Sequence, residues 1–118
     1  MSIEDVTNTS EVSVLIQTQS KASNMDLTRS FAVDRTVACR CVAASSREVA
    51  NMKMRAMDVS NVFYFGVDPG IIDETNRLMV GEVLYRPVGA LINVHELDRM
   101  WKIYADKRSR DNELVEIL

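Results

Sequence analysis

The sequence predicts an all-β fold, a small β-barrel with one short helix and a long loop after the first strand. Three observations carry this: short segments dense in β-branched and aromatic residues, Gly, Pro and Asp turn signals between them, and no alternation of strands with long helices. The 118 residues suit one domain and leave no room for two independently stable cores. Residues 1–10 read as a flexible arm, 11–107 as the barrel and 108–118 as a tail.

Met1 to Ser10 is polar and acidic, with neither the basic start nor the apolar run of a signal peptide. Val12 to Thr18 reads as the first strand, with Val12, Val14 and Ile16 on one face. Gln19 to Ser30 is polar and has no clean period, so a long loop or a β-excursion from the barrel is expected there. Loops of that length in small domains often carry function. Arg35 to Ala43 alternates, placing Val37, Cys39, Cys41 and Ala43 on one face, and is read as the second strand. Ser45-Ser46-Arg47-Glu48 has the form of a helix capping box, followed by Val49, Met52, Ala56 and Met57 at helical spacing. Met52, Met54 and Met57 fit core filling by adaptable side chains better than a sticky binding surface.

Val59 to Val67 is the strongest strand, apolar on both faces, as expected of a strand covered on both sides. Asp68-Pro69-Gly70 ends it as a turn. Arg77 to Val80 and Glu82 to Arg86 read as a strand pair interrupted at Gly81, and Pro87-Val88-Gly89 marks a turn or bulge. Leu91 to Val94 and Met100 to Asp106 pair as the last strands, with Trp101, Ile103 and Ala105 on one face. Leu114, Val115, Ile117 and Leu118 make an apolar tip that frays or docks onto a partner.

The residues for chemistry are sparse. The chain has one histidine, His95, and two cysteines, Cys39 and Cys41. That leaves a nucleophilic triad without a convincing set and zinc one ligand short. The cysteines are two positions apart on one strand face, with Cα atoms roughly 6.5 to 7 Å apart, near or beyond disulfide reach. Reduced, buried thiols in a reducing cytoplasm are expected. His95 reads as part of a surface turn, and the four glycines are not clustered as in a phosphate loop. Asp68, Asp73 and Glu74 lack the alternating ligand spacing of a calcium loop and read as soluble turn residues. The expectation is a non-enzyme with no cofactor and no metal.

Seventeen acidic residues against 14 basic ones argue against tight sequence-independent DNA binding, which requires surplus cations to displace counterions. Lys107-Arg108-Ser109-Arg110 is the best basic patch, but Asp111 and Glu113 follow it, so a solvated mixed-charge tail is the preferred reading. No stretch has the roughly 20 apolar residues of a membrane-spanning helix.

Several features between Asn61 and Lys107 occur in a recognisable order. They are Phe63-Tyr64-Phe65, Asp68-Pro69-Gly70-Ile71, Asn76-Arg77-Leu78, the stretch Gly81 to Gly89, and Arg99-Met100-Trp101-Lys102-Ile103-Tyr104. With the upstream strand Val37 to Val42 and Ser46 and Glu48 after it, this order resembles the head-closure (head-to-tail adaptor) proteins of tailed bacteriophages. The resemblance covers about two thirds of the chain. It implies a structural virion subunit that forms a homo-oligomeric ring of six or twelve copies in the phage neck. Such a ring closes the DNA-filled head below the portal and adaptor and gives the tail, through its completion protein, a docking platform. Assembly would occur in the host cytoplasm.

The resemblance further implies that the loop after the first strand reaches the central channel or the adaptor and helps retain packaged DNA. Here that loop is Gln19 to Ser30, with Gln19, Ser20, Lys21, Ser23, Asn24, Met25, Asp26 and Arg29 as candidate channel or docking residues. Each subunit of a closed ring uses two different patches. The candidates are the double-faced strand, through Phe63 and Phe65, and the C-terminal tip, through Leu114, Ile117 and Leu118; both have an alternative reading as core. Two other functions stay open, a tail-completion or tail-terminator ring protein and an OB- or SH3-like nucleic-acid-binding barrel.

Overall fold

In the computed structural model, which describes residues 10–18, 29–108 and 115–117, seven strands and one α-helix follow in the order β1 (Ser10–Thr18), β2 (Arg29–Ala43), α1 (Ser46–Lys53), β3 (Asn61–Phe65), β4 (Arg77–Val80), β5 (Val83–Asn93), β6 (Trp101–Arg108) and β7 (Val115–Ile117), with a 3-10 turn at Val94–Glu96 between β5 and β6. Strands β1, β4, β5, β6, β3 and β2 pair antiparallel in that order, and a further pairing of β2 with β1 closes them into a barrel-like ring. Closure removes most of the free sheet edge. Strand β2 makes it possible by its length: residues from Ser30 to Cys39 pair with β1, while Arg40 to Ala43 pair with β3. Strand β7 lies parallel against Arg29 to Phe31. Ser10 and Arg108, assigned from sequence to the arm and the tail, are strand residues, and part of the tail adds to the sheet.

The interior follows from alternation. Cys41, Phe63 and Ile103 are cross-strand partners and so point the same way. With Val12, Val14, Cys39, Phe65, Ile72, Leu78, Tyr85, Trp101 and Ala105 they form the main core. The Phe63 ring meets Tyr85 edge-on, with centroids 5.1 Å apart, a favoured aromatic geometry. Burial pushes the Cys39 thiol up to about 12 and raises Cys41 as well, because an apolar site disfavours the thiolate. Both cysteines are free thiols.

Two satellite clusters cover the outside of the ring. Met52 of α1 packs with Val59 and Val88, joined by Ala44, Met57 and Tyr104. Tyr104 lies between the inward Ile103 and Ala105, so this cluster is on the outer face, and the helix supplies a cover there. The helix starts as its sequence requires. The Ser45 side chain accepts from the Glu48 N–H, and the Glu48 carboxylate accepts from the Ser45 N–H, a capping arrangement contributing about 0.5–2 kcal/mol. Burial opposes ionisation of Glu48, but hydrogen bonds from Ser45 and Tyr104 and the nearby Lys102 charge outweigh it and hold the carboxyl below its usual value.

The helix ends earlier than the spacing of Ala56 suggested. The Met57 N–H bonds to the Met52 carbonyl and the Ala56 N–H to that of Lys53, the two bonds of a Schellman turn. Ala56 is left-handed, with φ 58°, where a side chain costs roughly 1–2 kcal/mol and glycine is the usual occupant. Met52 and Met57 pack inward, as core filling predicts, but Met54 at the tip of this turn is 87% exposed.

The second satellite cluster holds Leu15, Phe31 and Leu84, with Met79 against them. A bulge explains it. Between Val14↔Arg35 and Leu15↔Val33, β2 carries one extra residue, Asp34, and an extra residue exchanges the two faces of a strand. Val37 and Cys39 therefore face inward while Phe31 faces outward, against Leu15. Arg77 also lies on this flank, stacked over the Phe31 ring at 5.3 Å and donating to the carbonyls of Glu74 and Asn76. Ile16, expected on the buried face, is 41% exposed because it lies one position past the last pairing of β1 with β4.

Pro87 to Gly89 is a bulge within one continuous strand. Val88 and Ile92 pair with Tyr104 and Lys102, so four steps on β5 match two on β6, and Gly89 takes the required positive φ of 77°. No helix among the described residues is long and apolar enough to cross a membrane.

Candidate interaction surface

The residues singled out from sequence fall in three places. Gln19, Ser20, Lys21, Ser23, Asn24, Met25, Asp26, Leu114 and Leu118 lie outside the described residues. Arg29, expected in the loop, begins β2, and Ile117 belongs to β7, its backbone paired with Phe31. Phe63 and Phe65, expected as one docking patch, are 0% exposed. Alternation places both in the ring interior, where they have no surface to offer a partner.

The structure offers a different surface at the end of the ring where β3 finishes and β6 begins. The β3–β4 connection crosses this end and is held from below by two side chains. The Arg35 Nε and Nη2 donate to the carbonyls of Pro69 and Ile71 at 2.7 Å each. Asn76, itself buried, donates to the Leu15 carbonyl at 3.1 Å and accepts from the Asp73 N–H at 3.0 Å. Such bonds fix a loop because a buried polar group left unpaired is costly. Ile72 drops into the interior as a plug.

Gly70 has φ 81°, and a Cβ there would stand 3.3 Å from the Arg35 guanidinium. The positive φ favours glycine, and a side chain there would also press on the guanidinium. The Asp68 carboxylate accepts from the Gly70 N–H, and Asp73 accepts from Thr75. The Thr75 hydroxyl and N–H hold the Asp73 carboxyl below its usual value. These acids are engaged with their own backbone, in keeping with turn residues, and no metal-ligating cluster occurs among the described residues.

Opposite this loop lies the β5–β6 turn. His95, Glu96 and Asp98 all have positive φ, and the turn is held by mutual bonds between Asn93 and Asp98, at 2.6 Å to the carboxylate and 3.2 Å from the Asp98 N–H. His95 is exposed, as expected of a surface turn. Between the two segments is an open depression of about 400 Å³, lined by Asp68, Ile71, Ile72, Leu91, Asn93 and Trp101. The segments that form it also expose Val67, Ile71, Ile92 and Leu97, with Ile71 82% exposed.

An apolar hollow between segments that expose aliphatic side chains suits protein contact. Sequence reasoning missed it because its walls come from three separated segments. The available signal was the presence of Val67, Ile71 and Leu97 in turns, where apolar residues are uncommon. No family model matches this chain, and no curated protein matches it.

Proposed function

We propose that this chain is a non-catalytic structural subunit of a tailed-phage neck, assembling into a ring that closes the DNA-filled head and receives the tail. The observation that carries the reading is the closed six-stranded ring with a β1–β2 hairpin whose connection, 19–28, is where the resemblance puts the channel loop. The resemblance requires a small barrel, and the chain folds as a barrel-like ring. The acidic balance of the chain suits a channel through which DNA passes without sticking, since tight binding would need phosphate neutralisation. Retention is then steric, and the partners are the portal and adaptor above, the tail-completion protein below and the DNA within.

The loop provides the test. Replacing residues 19–28 with a short Gly-Ser turn should leave circular dichroism and melting unchanged, while heads assembled with the variant lose packaged DNA or fail to take tails. Unchanged DNA retention and tail attachment would remove the loop from the mechanism. Loss of folding would assign it to the core.

A further inference from the structure

We infer that the subunits join by a knob and a hollow: Met54 at the end of α1 enters the Ile71–Trp101 depression of a second copy of this chain. The inference rests on the ring-forming reading above and names the contact that makes the ring.

The knob is Lys53-Met54-Arg55. All three residues are exposed, Met54 at 87%. The Schellman turn and the left-handed Ala56 hold the segment in one shape, so little freedom is lost on docking. Backbone strain at a surface turn is a reason to look for function there. Met52 and Met57, on either side, are committed to the satellite core, which leaves Met54 as the one large apolar side chain of this turn facing solvent.

The hollow is complementary in polarity and charge. Its floor of Ile72, Leu91 and Trp101 suits a flexible thioether, which packs favourably against an aromatic ring. The β3–β4 connection, 66–76, and the β5–β6 turn, 94–100, carry five acids, Asp68, Asp73, Glu74, Glu96 and Asp98, against one cation, Arg99. Arg35 lies beneath and is turned to Asp34 and two loop carbonyls. A net-acidic pair of segments around an apolar floor therefore meets a methionine flanked by two cations. Complementary charges of this kind steer and orient association. Knob and hollow share no residue, so one copy can offer its knob to one neighbour and its hollow to another, the heterologous arrangement from which rings are built.

Two substitutions at exposed positions test it, Met54→Asp on the knob and Ile71→Asp on the rim, with folding checked by circular dichroism and melting. In sedimentation velocity the parent chain should associate with rising concentration, more weakly at high salt. Each variant alone should associate at least tenfold more weakly. An equimolar mixture should form a 1:1 dimer that grows no further, because the Met54 of the Ile71→Asp chain fits the intact hollow of the Met54→Asp chain. A parent that stays monomeric at millimolar concentration, a variant that associates like the parent, or a mixture that gives no dimer would each overturn the contact. If Ile71→Asp prevents attachment to heads but Met54→Asp does not, the hollow takes another partner and the contact is likewise overturned. A parent that self-associates but does not attach to heads retains this contact and loses the neck reading; attachment as isolated monomers does the reverse.

Discussion

Phe63→Ala is expected to destabilise the fold by about 3–5 kcal/mol, the range for emptying a fully buried aromatic site. Phe63 sits between Cys41 and Ile103 on neighbouring strands and meets Tyr85 edge-on, so the loss includes both a cavity at the centre of the ring and an aromatic pair. Against the 5–15 kcal/mol typical of a whole domain, about 3–5 kcal/mol leaves little margin at physiological temperature. Urea unfolding monitored through the fluorescence of Trp101 measures it. Phe63→Leu, which keeps most of the volume, should cost less. A change below about 0.5 kcal/mol, the usual range for surface positions, would mean that Phe63 is an exposed contact residue after all.

Asn76→Ala should cost about 2–6 kcal/mol, although it removes only a small polar side chain. Asn76 serves the Leu15 carbonyl on β1 and the Asp73 N–H in the crossing loop at once. Its removal deprives both of a partner at a position only 7% exposed, and each loss is worth about 1–3 kcal/mol. Asn76→Asp should fare no better, since an ionised carboxylate can still accept from Asp73 but cannot donate to Leu15. Amide exchange of residues 66–76 should quicken in both variants while β5 and β6 stay protected. Unchanged exchange in that loop would contradict the anchoring role.

Features set by local rules were legible in the sequence. The capping box at Ser45 and Glu48, the inward face of Trp101, Ile103 and Ala105, and the bulge at Gly89 each depend on neighbours a few positions away. What depended on distant partners was not. Asp34 reads as an ordinary polar residue, yet as the extra residue of a bulge it reverses the faces of β2, buries Phe31 on the outside and hides the early start of that strand. Ile16 continues a good alternating pattern but runs past the last pairing with β4. Phe63 and Phe65 looked able to serve a partner because Val62 makes the strand apolar on both faces; only ring closure and the helix on the flank show that both faces are covered. The end depression was hidden for the same reason: Arg35 and Trp101 meet the Pro69–Ile72 segment only because β2, β3 and β6 converge there.

The most direct test of the neck assignment is co-sedimentation of the purified chain with tail-less, DNA-filled heads of a tailed phage that lack their own closure protein. The account predicts that the chain binds at the portal vertex in a fixed ring stoichiometry, stops DNA leakage and restores tail attachment. Heads that neither bind the chain nor stop leaking, together with tight, salt-dependent binding of the free chain to DNA, would contradict it and favour a nucleic-acid-binding barrel.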